Sequence, residues 1–261
     1  MEELQKKAAG GLAAFQQFKN QGPIVGFEDI DASDIKMPRI KLLQAQSDEA
    51  AESKGKPGQY YNTVTGEVFD SLDVIFLTFG KQRVRWPEKF KRGDDPLCRS
   101  ADAHKSDEDG VDCASCSYAK WGKNKEKPEC SLSYAWLGCV DAPQKNYPMF
   151  RTVVTAASMV ATKDFINQIV QYNLPPFIFK VTLSSKLMKN DKGSFYVMEY
   201  SFKQNEDGSP ATINPNDYNY FEEKCKNMRG MFIDARKNDL KSMSNEMTDA
   251  DIETSDESAV F

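Results

Sequence analysis

Four cysteines constrain this chain more than any other feature. Cys98 is followed after fourteen residues by Cys113, after two more by Cys116, and after thirteen more by Cys130. A Cys-x-x-Cys pair presents two thiolates from one tight turn, and two more from flanking segments complete the tetrahedron that zinc prefers. The segment 94–130 is rich in Asp, Gly, Pro and Lys and has almost no aliphatic residues, so it cannot bury thiols in a core of its own. One zinc ion per chain, held by Cys98, Cys113, Cys116 and Cys130, is the expectation. Four protein ligands leave no open position for water, which makes such a site structural. A redox role fits less well, because no thioredoxin-like strand precedes the motif. His104, the single histidine, lies inside the segment on the acidic loop Asp102–Asp112 and is an alternative ligand to one cysteine. Cys139 alternates with apolar residues on a strand and Cys225 lies on the apolar face of a helix, so both read as core residues.

With 40% hydrophobic and 28% charged residues, the 261-residue chain can bury a sizeable core. No apolar run approaches the length of a membrane span. The apolar patch from Ala8 to Phe15, interrupted by Gly10 and Gly11, is not the pattern of a signal peptide. A cytoplasmic protein with reduced thiols is therefore expected. The formal net charge of -5 is unevenly spread: Glu246, Asp249, Asp251, Glu253, Asp256 and Glu257 follow one another without a basic residue. Without them the chain carries 34 basic against 33 acidic residues, a body of +1.

Periodicity predicts a helix over 3–19, ended by Gly22 and Pro23, and then a β-rich body. Gln59–Asn62 and Glu67–Phe69 form a hairpin around Thr65-Gly66. Strands follow at Leu72–Phe79, at Lys81–Trp86 after Gly80, at Ser133–Val140 and at Met149–Thr155. A helix over 162–172 turns Phe165, Ile166, Ile169 and Val170 to one side and stops at Leu174-Pro175-Pro176. Strands Phe177–Leu183 and Ser194–Phe202 are joined through the turn Asn190–Gly193. A last helix, about Asp217 to Leu240, spaces Phe221, Cys225, Met228, Phe232 and Ala235 alternately four and three apart. The fold class this implies is mainly β: a five-stranded OB-type barrel with a zinc-binding insertion, flanking helices and a disordered acidic tail. The order of elements equally suits a generic β-barrel or an α+β sheet. The boundaries are 1–37 for the N-terminal helix and linker, 38–203 for the body with its insertion at 94–130, 204–244 for linker and helix, and 245–261 for the tail.

In Lys81-Gln82-Arg83-Val84-Arg85-Trp86 the basic residues fall at every second position, so a strand puts Lys81, Arg83 and Arg85 on one face. Phe90, Lys91 and Arg92 follow. A cationic stripe with interleaved aromatics suits a single strand of nucleic acid, with charge for the phosphates and ring faces for unpaired bases. It equally suits a solvated strand edge that resists aggregation. Trp121 and Lys123 repeat the mixture between Cys116 and Cys130. Tyr196 and Tyr200 share a strand face with Met198 and Phe202, and Arg151 is a further candidate contact.

The acidic stretch ends in Ser258-Ala259-Val260-Phe261. With this tail and the insertion Cys98…Cys113-x-x-Cys116…Cys130, the chain resembles the tailed-phage single-stranded DNA-binding proteins. Those have an OB-fold body and a disordered acidic C-terminus, in some cases ending in Phe, and one branch carries zinc in the OB domain. The zinc-bearing members use one histidine with three cysteines, and this chain departs from that set. The resemblance implies a non-enzymatic protein that coats single-stranded DNA in phage replication and recombination, inside the host cell. Its tail, including Asp256, Glu257 and Phe261, would recruit the replication polymerase, helicase or primase. Three alternatives predict different behaviour. A zinc-bearing nuclease needs clustered acids and histidines with open metal positions, a strand-annealing recombinase pairs complementary strands, and a zinc-ribbon interaction module has no affinity for oligo-dT.

Overall fold

The structure is a computed structural model that describes residue 29 and residues 37–89, 94–124, 126–142, 147–154, 156–190 and 193–246. The expected N-terminal helix and the acidic run after Glu246 lie outside the described residues. Those from Met37 on belong to one compact unit.

Strands β1 (Ile40–Leu42), β2 (Tyr60–Asn62) and β3 (Val68–Phe69) make a small antiparallel sheet in that order, with the short helix α1 (Asp48–Ala51) between the first two. The β2–β3 turn is closed by Asn62, whose Oδ1 accepts the amides of Val64 and Thr65, and by Gly66 at φ 73°. The hairpin is the one that Thr65-Gly66 predicts.

Next come β4 (Leu72–Arg85), β5 (Cys98–Ser100), β6 (Cys130–Val140), β7 (Met149–Val154), helix α2 (Met159–Gln171), β8 (Val181–Asn190), β9 (Gly193–Phe202) and helix α3 (Tyr218–Glu246). The second sheet runs β7-β6-β4-β8-β9, all antiparallel, with β5 also pairing β4. β6 follows β4 from Val74 to Arg85. On the other edge β8 takes Leu72–Val74 and β5 takes Arg83–Arg85. The spatial order β8-β4-β6-β7 is that of a Greek key.

Several expected boundaries change: β8 runs on to Asn190, β6 begins at Cys130 and α2 begins at Met159. The strands on either side of Gly80 are one continuous strand, β4. The strand expected from Phe177 starts at Val181, because Pro175-Pro176 sets a 3₁₀ turn at Pro176–Ile178.

Both faces of β4 are buried over its first half. On one, Leu72, Val74 and Phe76 meet Trp136, Phe150, Phe165 and Leu183; on the other, Ile75 and Leu77 meet Leu137, Cys139, Phe221 and Phe232. Phe76 and Trp136 lie 4.6 Å apart at their ring centroids. A fully buried side chain of this kind contributes about 1.5–3 kcal/mol. α2 closes the first core with Phe165 and Ile169, while Val170, expected on the same side, is 66% exposed. α3 closes the second with Phe221 and Phe232, and Cys225 and Met228 pack beside them.

The small sheet spans the gap between β7 and β9. Arg39 bridges Arg151 of β7, and the Gln44 side chain bonds both the amide and the carbonyl of Tyr196 in β9, each at 2.9 Å. Among the described residues no ladder joins β7 to β9, so backbone pairing does not close a barrel.

Beyond the apolar part of α3 the floor is polar. Gln82 and Ser133 are register partners, and Gln82 Oε1 and Nε2, Ser133 Oγ and Arg236 Nε are buried without a hydrogen-bond partner among the described residues. Arg236 Nη1 donates to the Lys81 carbonyl at 2.9 Å, and its guanidinium fills the space that Gly80 leaves without a side chain. This close approach is why a glycine sits inside a strand here. Gly80→Ala pushes that guanidinium aside and breaks its bond to the Lys81 carbonyl, and is expected to lower unfolding stability by about 1 kcal/mol. Gly230→Ala, on open helix surface, is expected to raise it by up to about 1 kcal/mol. Urea unfolding of the two variants checks the pair.

Candidate nucleic-acid interface and cysteine insertion

The second half of β4 carries the cationic row. Register places Phe79, Lys81, Arg83 and Arg85 on one face, opposite Trp136, Tyr134, Leu132 and Cys130 of β6, and opposite Ser100 and Cys98 of β5. The row therefore continues the face that carries the first core, past the point where Phe79 packs on Tyr134 and Trp136 at 5.0 Å each. Gln82 and Val84 are buried on the other face.

The three cations differ in availability. Lys81 is exposed, and its ammonium has no ion pair among the described residues. Arg83 is half-buried, with Nη1 donating to the Cys130 carbonyl at 3.2 Å. Arg85 is engaged twice: Nε and Nη2 donate to Glu129 Oε2 at 3.0 and 2.7 Å, and its Cζ lies 3.4 Å from the centroid of the Tyr118 ring. Burial works against the Arg85 charge, but Glu129 and Tyr118 outweigh it and hold its pKa above the usual arginine value. Trp86 follows half-buried, and Phe90, Lys91 and Arg92 lie outside the described residues.

The other expected contacts are scattered. Trp121 is 48% exposed and Lys123 is exposed on the insertion. Arg151 pairs with Leu137, which puts it on the face opposite the cationic row. Tyr196 lies against Gly58, whose absent side chain leaves room for its ring. Tyr200 is a core residue: its ring stacks on Phe165 at 4.9 Å and 10°, and its hydroxyl meets Thr162 Oγ1 at 2.9 Å. β9's inner face is needed to fill the core, and Tyr200 offers no free ring face to a base, while Tyr196 is half-buried. Tyr118, an aromatic next to a serine two residues after Cys116, carries no signal in the sequence until its partner Arg85 is known.

The insertion is organised by side-chain turns. Asp102 Oδ1 accepts the amides of His104 and Lys105, Asp112 Oδ1 accepts that of Ala114, and the Cys113 amide donates to the His104 carbonyl at 2.8 Å. His104 itself is exposed. All six cysteines are free thiols. Cys139 belongs to the second core and Cys225 packs against it, as expected. Cys113 and Cys130 are buried yet belong to neither core. Burial pushes the Cys130 thiol up to about 11; Arg83 pulls against that, and the nearby Cys98 and Cys113 add to it.

Three of the four expected ligands are thus neighbours, but among the described residues no three His, Cys, Asp or Glu side chains are grouped closely enough to hold an ion. Register is one physical reason. Cys98 and Cys130 are the partners of Arg85 on its two sides, so two strand spacings, about 9.5 Å, separate their backbones. Thiolates that share a zinc ion lie about 2.3 Å from it.

At the far end of the sheet a cleft is lined by Asp73, Asp141, Tyr147, Lys180, Lys203 and Asp217. Its charges are largely satisfied internally: Asp73 pairs with Lys203 and accepts from Thr182, and Asp141 pairs with Lys180 at 2.9 Å. No described helix is long and apolar enough to cross a membrane.

A family model described as the Pam3 phage gp34-like protein matches residues 5–231. No curated protein and no solved structure matches the chain.

The position of Tyr200 separates core from interface. Thr162 Oγ1 donates to the Ser158 carbonyl, and the Tyr200 hydroxyl lies within hydrogen-bond reach of both Thr162 Oγ1 and Met198 Sδ. Tyr200→Phe is expected to cost about 1 kcal/mol of unfolding stability and to leave oligonucleotide affinity unchanged, measured on the same preparation by denaturation and by anisotropy.

Proposed function

The chain belongs to the Pam3 phage gp34-like protein family, and from that premise we propose that it is a phage protein that binds single-stranded DNA. The observation that carries the reading is the row Lys81, Arg83 and Arg85 on one sheet face, running on from an aromatic core wall and ending at the cysteine insertion. Taken from β4, the strands β4, β6, β7, β8 and β9 fit the open Greek-key barrel of an OB fold. They have a helix before the last pair and an insertion between the first two strands. In that fold the loop joining the first two strands and the hairpin joining the last two flank the oligonucleotide face. Here the loop is the insertion with Trp121 and Lys123. The hairpin tip exposes Lys186, Leu187, Met188 and Lys189.

Lysines and arginines follow the phosphates, and exposed rings take the bases. The reading assigns no catalytic step. The acids that follow the body in the sequence are its candidate contact to a replication polymerase, helicase or primase.

Fluorescence anisotropy with labelled oligo-dT, oligo-rU and duplex over a salt series tests this function. Single strands are expected to bind more tightly than duplex. Lys81→Ala is expected to make the log–log salt slope shallower by about 0.7, the value of one lost phosphate contact. Trp121→Ala is expected to cost about 1–3 kcal/mol with the slope unchanged. Equal affinity for single strand and duplex overturns the reading.

Zinc is part of the same proposal. Cys98, Cys113, Cys116 and Cys130 would hold one ion, which when bound cross-links the insertion to the ends of β5 and β6 and activates no water. Metal analysis is expected to find one zinc per chain, and Cys113→Ser is expected to lose the metal and the order of the insertion. A stoichiometry near zero, with thermal unfolding unchanged by chelator, removes zinc from the account.

A further inference from the structure

We propose that Arg85, Tyr118 and Glu129 form a subsite for one nucleotide unit, in which a backbone phosphate takes the seat now held by the Glu129 carboxylate and an unpaired base covers the open face of Tyr118. The inference rests on the single-strand reading above and adds a ligand position to it.

The geometry marks both halves of the site. Arg85 aims two donors, Nε and Nη2, at the single oxygen Oε2 of Glu129. A guanidinium fork presents the same arrangement to a phosphate oxygen, and a phosphodiester carries the same single charge as the carboxylate. The Glu129 side chain is 60% exposed and makes no other ion pair among the described residues, so it can swing into water when an anion replaces it. The Arg85 side chain is only 23% exposed and is held by the strand beneath it, so the seat stays when the carboxylate leaves.

Tyr118 supplies the second half. It lies in the 3₁₀ turn Ser117–Ala119, with Arg85 over one ring face at 3.4 Å, and it is 43% exposed. It has no other ring contact among the described residues, and a base can cover its free face. Lys120 and Lys123, both exposed and without an ion pair among the described residues, stand next along the chain with Trp121 between them. A strand following Lys81 and Arg83 along β4 meets this platform where the strand ends.

A rival account makes the Arg85–Glu129 pair a clasp that pins the insertion and touches no ligand. The two differ on Glu129→Gln. A subsite predicts that releasing Arg85 tightens oligo-dT binding several-fold at low salt and steepens the salt slope by about 0.7 for one added phosphate contact. Glu126→Gln, which removes the same charge from the same loop without touching Arg85, is the control and is expected to gain less. A clasp predicts lower thermal stability with equal or weaker binding. Tyr118→Ala is expected to lose roughly 10-fold in affinity while Tyr118→Phe keeps it, as stacking requires. Photo-crosslinking of wild-type protein to oligo-dT carrying 5-iodo-deoxyuridine is expected to label a peptide that contains Tyr118. Wild type that binds oligo-dT while Glu129→Gln gains no more than Glu126→Gln, and no label reaches Tyr118, overturns the subsite and leaves the single-strand reading standing. Wild type that binds no oligo-dT at any salt overturns both.

Discussion

The two-sided burial of β4 is the constraint on which the rest of the structure depends. Its first half, from Leu72 to Leu77, has an apolar wall on each face, with β6 along one edge from Val74 on and β8 on the other at Leu72–Val74. An unpaired backbone group in such a place has no water to turn to. β6 accordingly runs along the strand from Val74 to Arg85, while on the opposite edge β8 takes Leu72–Val74 and β5 takes Arg83–Arg85. Alternation lets one strand serve both walls, and a bulge between Phe76 and Thr78 resets it, so that Phe79 and the cations after it follow Phe76 on the first-core face. α2 and α3 then have fixed tasks, one lid for each face.

Past the bulge the same strand changes character. On the face toward α3, a glycine and a glutamine replace aliphatic residues, and Arg236 lies over them with buried polar atoms around it. Arg236 is anchored there by its bond to the Lys81 carbonyl and by its seat over the Phe232 ring. On the opposite face the aromatic wall gives way to Lys81, Arg83 and Arg85. A long strand can thus be a core element at one end and a charged surface at the other, because β6 pairs with it continuously through the change.

The charges on that surface are not equivalent. Lys81 stands in water, Arg83 is tied to a carbonyl, and Arg85 is occupied by Glu129 and Tyr118. Exposed ion pairs contribute little to stability, and the Arg85 pair is half in water. Its interest lies in where it puts a fork of donors: between Cys98 and Cys130, at the junction of sheet and insertion. Charge at the far end of the sheet is arranged otherwise, with Asp73, Asp141, Lys180 and Lys203 matched to one another.

Much of this was legible in the residues alone. Alternation in Lys81–Trp86 placed the three cations on one face, Thr65-Gly66 marked a hairpin, and the spacing from Phe221 to Phe232 marked the buried side of α3. These signals are local: they depend on the period of a strand or helix and on the conformations that a glycine permits. Other features needed the tertiary structure. Gly80 reads as a break until Arg236 is found in its place, from the other end of the chain. Tyr200 reads as a platform until Phe165 and Thr162 are seen to take its ring and hydroxyl. Arg151 reads as a partner of the cations until register turns it to the opposite face. Cysteine spacing announces a shared ligand, yet strand register sets Cys98 and Cys130 on either side of Arg85. The physical reason is common to all four. A side chain's surroundings are set by elements distant in sequence, and pairing and packing alone decide which of those elements arrive.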